Sequence, residues 1–390
     1  MMDITPVDMG LFAIFVAVLL GPFLWKRIEE NLETFLFING VIAAAIAGEL
    51  VTSATGWNVL LIWEAVSEPI LKGIVPAVLI AGVVFHYGKD RIHAGLIRVI
   101  GRNDLRLVVF FIVVGLGLVS SIITAIIAAL LLVEIVYVLP LDAKRRAEVV
   151  IISCFSIGLG AALTPVGEPL STIVAARLDA GFFYLLVNLG IYILPGVIAF
   201  GIIAALLVQA KRPRALEKLL LIRPHQTPEL DGKAPLVGGP GRVVGEQPVA
   251  EESGKIAQEP LREVFVRVLK VYIFVMALIL LGGGMSVVIE KYFSQVPAQG
   301  LYWANMVSAV LDNATLAAAE ISPALSLVQI KSALMGLLIA GGMLIPGNIP
   351  NIIAAHKLKI KSTEWARLGI PLGLGAMLFY FIWLFFVPFP

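Results

Sequence analysis

The residues best equipped for chemistry in this sequence lie where an apolar chain can least easily hold them. Glu168 falls within TPVGEPLST, residues 164–172, between the apolar stretches 149–163 and 173–176. Asp312 and Asn313 fall within SAVLDNATLAAAEISP (308–323), Asn348 and Asn351 within IPGNIPN (345–351), and Ser120, Ser121 and Thr124 within GLVSSIITA (117–125). With Thr164, Ser171, Thr172 and Thr315 they offer hydroxyl, amide and carboxylate oxygens. These are hard donors that suit Na+ or a proton and suit soft metals poorly. A carboxylate inside an apolar run is costly and marks function by default. It must be neutralised there, and either a proton or a cation can do so. That competition suffices to exchange one for the other.

The flanking residue types open the chain around these groups. Pro165, Gly167 and Pro169 surround Glu168, and Pro346, Gly347 and Pro350 surround Asn348. Proline removes a backbone donor and starts a new helix well, while glycine lets the backbone approach a ligand closely. A helix interrupted in this way presents unpaired N–H groups on one side of the break and C=O groups on the other, with partial charges of opposite sign. The expectation is two broken helices, each with polar residues at its break.

What surrounds these residues follows from composition. The chain has 390 residues, 59% of them hydrophobic and 14% charged, and a mean hydropathy of +0.96. This predicts an all-α polytopic membrane protein rather than a soluble domain. The net charge of +2 makes no case for nucleic acid as a partner, and a single cysteine, Cys154, excludes an intramolecular disulfide or a multi-cysteine metal site. The first apolar run, 9–25, lacks a basic leader and a small-residue cleavage site and reads as a retained helix. Further runs cover 34–51, 69–88, 107–139, 147–178, 181–209, 266–289, 300–321, 326–358 and 368–388.

Charge position sets the expected orientation. Basic residues cluster at 26–27, 89–106, 144–146, 211–214 and 357–367, and the loop bias of Lys and Arg places all of these in the cytoplasm. Both ends of 107–139 then lie inside. That makes it a re-entrant hairpin turning near 117–125, and 300–321, between uncharged flanks, becomes a second hairpin entering from outside. Such backbone is tolerated at depth only where protein encloses it or it lines a wet cavity. The expected divisions are N-terminal scaffold helices (1–106), first hairpin and broken helix (107–178), a connecting membrane helix (179–210) and a Gly, Pro and Glu-rich cytoplasmic linker (211–262). A scaffold helix (263–299), second hairpin and broken helix (300–358) and a C-terminal membrane helix (359–390) follow. Each half carries hairpin, broken helix and final span in the same order and in opposite orientation, an inverted repeat, and paired interrupted segments in such halves point to a transporter's binding site.

The Thr-Pro-x-Gly-acid break at Thr164–Glu168 and the Asp-Asn hairpin tip at Asp312–Asn313 resemble the ion transporter superfamily, and within it the NhaD-type sodium/proton antiporters and the "predicted cation transporters". The resemblance implies an inverted-repeat fold in a prokaryotic plasma (inner) membrane, a scaffold domain that forms a homodimer, and a transport domain that moves as an elevator. It also implies that Glu168, Asp312 and Asn313 are the acidic and amide ligands of Na+. The Ser-Asn-Thr hairpin signature of the dicarboxylate branch is absent from both tips, which argues against a carboxylate substrate. Glu stands where the first break often has Asp.

The function expected is secondary antiport of a monovalent cation, Na+ first, against protons, with no cofactor beyond these ions and with membrane lipid and a second copy of the chain, through the scaffold helices, as the other partners. Na+-coupled transport of a small inorganic or organic anion is the alternative, since half-helix N-termini with Ser, Thr and Asn can bind an oxyanion. An enzyme is not expected: the serine, zinc and paired-aspartate motifs of intramembrane hydrolases do not occur. Glu134 and Glu320, toward the outer thirds of the hairpins, are read as structural residues that pair with basic neighbours or face solvent. Glu64 and Glu68, one helical turn apart near Trp57 and Trp63, read as an interfacial segment.

Overall fold

The computed structural model describes residues 5–29, 31–48, 51–52, 56–57, 59–71, 75–76, 79–80, 83, 87, 104–208, 261–288, 291–292, 294–311 and 313–387. Most of the run at 69–88, the basic residues 89–102, the linker from 211 to 260, and Asp312 lie outside the described residues.

Helices begin where a polar side chain can satisfy the first backbone donors. In α1 (Pro6–Leu24), Thr5 accepts from the Asp8 backbone while Asp8 accepts from that of Thr5, a reciprocal capping box. A short α2 (Lys26–Glu29) leads to α3 (Leu32–Ile46), and a two-residue antiparallel pairing, Val51–Thr52 with Gly56–Trp57, precedes α4 (Val59–Leu71). Asp104 caps α5 (Leu105–Ile123) and Asp142 caps α7 (Ala143–Ala161). Between them lies α6 (Ala125–Val138), separated from α5 by Thr124 alone. The chain continues through α8 (Pro169–Arg177) and α9 (Tyr184–Leu207).

Beyond the linker come α10 (Leu261–Val288), α11 (Ala298–Ala304) with a 3-10 turn at Asn305–Ala309, and α12 (Asn313–Glu320). Then follow α13 (Leu327–Ala340), a second 3-10 turn at Ile345–Gly347, α14 (Ile349–Leu358) and α15 (Ser362–Phe386). Among the described residues four helical stretches are long and apolar enough to cross a membrane: Leu105–Ile123, Tyr184–Leu207, Val264–Ser286 and Ser362–Phe386. Many apolar side chains on their outer faces remain exposed, Val187 and Phe386 among them. That arrangement is compatible with hydrocarbon as the surrounding solvent.

Backbone contacts give the directions of packing. Ser156 donates to the Val113 carbonyl at 2.9 Å, Ser120 to that of Ile157 at 3.2 Å, and Thr164 to that of Ser121. Later residues of α5 thus meet later residues of α7, so the two helices run parallel and α6, which joins them, runs back. Gly117 and Gly160 make the approach close: a Cβ on Gly160 would collide with the Gly117 carbonyl. The second half repeats the motif, with Asn305 donating to Ala333 O at 3.3 Å and Ser308 to Leu337 O at 3.2 Å, which lays the α11 segment alongside α13. Tyr380 of α15 donates to Tyr192 O of α9 at 2.9 Å and ties the two halves together.

A second parallel pair packs into the same core. α3 and α10 also run parallel, with Lys270 against Glu33 at 2.8 Å and Gly40 and Gly284 at successive crossings. A Cβ on Gly40 would lie 2.7 Å from the Ala277 carbonyl, and one on Gly284 would strike the Ala43 backbone. Small residues at such crossings let helix backbones touch. At the other end Lys291 meets Asp8 at 2.7 Å, which fixes the start of α1 to the chain just after α10.

Candidate functional site

Two helices stop inside the apolar core and restart after a turn. α7 ends at Ala161 and α8 begins at Pro169; α13 ends at Ala340 and α14 begins at Ile349. The residue before each restart, Glu168 in one and Asn348 in the other, is fully extended, at φ −155°, ψ 161° and φ −155°, ψ 144°. Gly167 and Gly347 precede them and leave no room for a side chain. A Cβ on Gly167 would run into the Ala161 carbonyl, and one on Gly347 would sit 2.6 Å from the carbonyls of Gly341 and Ser308. Each turn is also pinned by a side chain from the helix that follows it. Thr172 donates to Pro165 O at 2.6 Å, and Asn351 donates to Gly341 O and Leu344 O, both at 2.8 Å.

The hairpin between α5 and α6 closes onto the first break. Thr124 holds the junction at φ 80°, in the left-handed half of conformational space, and the Ala125 N–H donates to Gly167 O at 2.7 Å. The result is a cavity of about 310 Å³ lined by Thr124, Ala125, Ile126, Pro165, Val166, Gly167, Glu168, Pro169, Thr172, Asn313, Asn348 and Ile349, and on its other wall by Glu33, Lys270, Val271 and Phe274. Glu168 is 5% exposed and Asn313 and Asn348 3% each. The Asn313 Nδ2 has no hydrogen-bond partner among the described residues, so an amide stands ready for a ligand.

Four helix starts meet here: those of α6, α8, α12 and α14. Each brings the fractional positive charge of a helix N-terminus, although at α6 the Ala125 and Ile127 N–H groups already donate to Gly167 O and Thr124 Oγ1. Glu168 is the described carboxylate that lies among them, and its charge complements theirs. A cation entering the cavity finds the carboxylate together with amide and hydroxyl oxygens; an anion finds helix ends and amide donors.

Of the residues singled out by sequence, Thr124, Pro165, Gly167, Glu168, Pro169, Thr172, Asn313 and Asn348 line this cavity together. Asp312 lies outside the described residues. Ser120, Ser121, Thr164, Thr315, Asn351, Pro346, Gly347 and Pro350 are not in the lining. Ser120 and Ser121 return their hydroxyls to Gly117 O at 2.6 Å and Leu118 O at 2.7 Å in their own helix, the usual alternative for a helical serine. Thr164 donates to Ser121 O and Asn351 braces its own turn, so both shape the breaks rather than face the cavity.

Glu320 departs from the solvent-facing or base-paired residue expected. It is 7% exposed and accepts from the Asn305 amide at 2.7 Å, an internal acid with a neutral partner. Arg177 is buried at the end of α8, where it donates to Ala318 O of α12. Neither it nor the Lys270–Glu33 pair was signalled by sequence, because lone charges near the edges of apolar runs read as ordinary interfacial residues until the packing is known.

One contact gives a direct test of the cavity's geometry. Gly158 of α7 faces the Asn348 amide, and a Cβ there would lie 2.6 Å from Nδ2. Gly158→Ala should therefore move the Asn348 side chain, with an expected fall of about threefold to tenfold in ligand affinity, roughly 0.7–1.4 kcal/mol, and little loss of folded protein. Binding by calorimetry and elution volume in detergent check the two parts.

Fold and site together define an all-helical protein with helices long and apolar enough to cross a membrane and a cavity holding a few polar side chains where helices break within the apolar core. Over residues 8–225 and 241–387 the chain matches the family described as "Protein of unknown function (DUF1646)", and it belongs to that family. No curated protein matches it.

Proposed function

We propose that the protein is a secondary transporter that exchanges a monovalent cation, Na+ first, for protons at the cavity around Glu168. The observation that carries this is a buried carboxylate at a helix break, sharing one mainly apolar cavity with the polar residues Asn313, Asn348, Thr124 and Thr172. Such a carboxylate stays charged only with a counter-ion, so proton and cation compete for one place. Asp312, adjacent to Asn313 in sequence, is the second acid of the proposed site.

In this reading the halves are an inverted repeat. The recurrence of Gly167–Glu168 as Gly347–Asn348, with one backbone shape, supports it. The charge-derived orientation agrees with the packing. Lys270 and Glu33, which meet, both fall at ends assigned to the cytoplasm, while Asp8 and Lys291, which also meet, both fall at ends assigned outside. The α3/α10 pair belongs to a scaffold that also serves as the dimer interface, and the hairpins and broken helices form the moving domain of an elevator. The resemblance to the ion transporter superfamily and to NhaD-type antiporters supports the same exchange.

A second reading, Na+-coupled transport of a small anion, is favoured by the four helix starts that line the cavity. Purified protein in liposomes with a trapped pH dye separates the two. With a proton gradient imposed, Na+ or Li+ should collapse it within seconds to minutes and anions with an inert cation should not. Collapse or uptake that requires a particular anion transfers the assignment to the second reading.

A further inference from the structure

The two short helices that start at the cavity also end together. α8 begins just after Glu168 and α12 at Asn313, both in the cavity lining, and the two helices pack side by side. At their far ends Arg177, the last residue of α8, donates through Nη2 to the Ala318 carbonyl in the last turn of α12. The two therefore run parallel, one from each half of the chain. Arg177 is 6% exposed, and its Nε has no hydrogen-bond partner among the described residues. A buried guanidinium, charged at any working pH, is costly unless something answers its charge. Here the carbonyl ends of two helices do, each with a fractional negative charge. The Ala317 carbonyl accepts from the Ile321 N–H at 3.0 Å, and Arg177 satisfies the next one along. On its other side the guanidinium lies against Gly282 of α10, where a Cβ would stand 2.6 Å from Nη1.

We propose that Arg177 is a positioning residue that sets which cation the cavity takes: by tying the end of α8 to the end of α12, it fixes how far Glu168 stands from Asn313. The helices are short, stiff rods of nine and eight residues, so a slide of one along the other at Arg177 is passed on to their starts. Hard cations of different size are told apart by a few tenths of an ångström in oxygen distance. A register held by a buried, forked donor is narrow enough to discriminate between them. Without the tie the two helix starts separate more easily, and a larger ion gains. Gly282 completes the arrangement, because a bare backbone position on α10 leaves the guanidinium room to reach α12. This rests on the exchange reading above and adds to it the residue that governs the choice among Na+, Li+ and K+.

Full-length variants in liposomes test this, with dye-reported exchange driven by Na+, Li+ or K+ at one low concentration and at saturation. In Arg177→Gln the rate with K+ relative to Na+ at low concentration should rise at least about fivefold, roughly 1 kcal/mol between the two ions. The saturated Na+ rate per folded protein should change far less. Arg177→Lys keeps the charge without the planar fork and should fall between the two. Gly282→Ala crowds Nη1 from α10, leaves every cavity residue unaltered, and should move the ion ratio in the same direction. Gly283→Ala, whose Cβ would meet Leu61 at 3.4 Å, should leave the ratio unchanged. An arginine that merely holds the fold together would lower folded protein and the rates with all three ions in step. An unchanged ion ratio overturns the proposal and leaves the exchange reading in place, as does a Gly283→Ala shift equal to that of Gly282→Ala. Should Arg177→Gln not fold, the two glycine variants decide. Absence of any cation-driven proton movement in the unaltered protein removes the exchange reading itself, and this proposal with it.

Discussion

Vesicles carrying the Glu168→Gln protein should show no Na+-driven proton movement above that of protein-free vesicles, a loss of at least about 100-fold, or about 2.7 kcal/mol in the rate-limiting barrier. The reason is specific to where this carboxylate sits. It is 5% exposed at an extended residue between two helical segments, in a cavity where the other polar lining groups of the breaks are neutral amides and hydroxyls. Glutamine keeps shape and volume but binds neither a proton nor a cation's charge, so the step in which one displaces the other disappears. The fold should survive, because the change leaves a neutral group among the four helix starts and creates no buried charge. The helix ends lose one complementary anion, an effect on the order of 0.3–1 kcal/mol. Glu168→Asp separates charge from reach. A carboxylate shorter by one methylene should still exchange, with Na+ half-saturation raised about tenfold. Full exchange by Glu168→Gln would falsify the assignment of Glu168 as the exchanging group, whatever the transported ion.

Much of this site was legible because its makers are local. Proline on either side of a glycine and a polar residue, Glu168 in one run and Asn348 in the other, can hardly continue a helix, and the breaks fall at 162–168 and 341–348, at those residues. The reversal between α5 and α6 could be located near 117–125 from polar residues in an apolar run, and it occurs at Thr124. What distinguishes Thr124 from Ser120 and Ser121 is tertiary. All three are hydroxyl residues within one turn or so, but only Thr124 sits at the non-helical junction, where it lines the cavity and its hydroxyl caps α6 by accepting from the Ile127 N–H. The two serines have a carbonyl of their own helix within reach.

Lys270 and Glu33 were hidden for a different reason. They are far apart in sequence: Glu33 stands in the first turn of α3, where a charge is ordinary, and Lys270 lies within α10, just inside the start of an apolar run. Only the parallel packing of α3 on α10 through Gly40 and Gly284 brings them to one wall. Arg177 and Glu320 are the same case at a deeper level. A span-by-span reading puts both near the ends of apolar runs, whereas α8 and α12 are short segments that end inside the protein.

The glycine of the first break should prove as sensitive as the carboxylate beside it. Gly167→Ala places a methyl group onto the Ala161 carbonyl, a backbone atom at the end of α7 that cannot turn aside as a side chain would. Overpacking of that kind costs roughly 1–3 kcal/mol and sometimes more. Relief by shifting the turn would also break the Ala125 N–H bond to Gly167 O, at a further ~1 kcal/mol. The apparent unfolding temperature in detergent should therefore drop by several degrees, and exchange should fall at least tenfold because Glu168 moves with the turn. Gly347→Ala, where the nearest carbonyls are 2.6 Å from the new Cβ, should behave alike but more mildly. Gly115→Ala is the control, since nothing lies within 4 Å of a Cβ there and alanine favours the helix; its stability should be unchanged or raised. If Gly167→Ala melts and transports like Gly115→Ala, the tight turn that aims Glu168 into the cavity is not as described, and the case for two matching breaks goes with it.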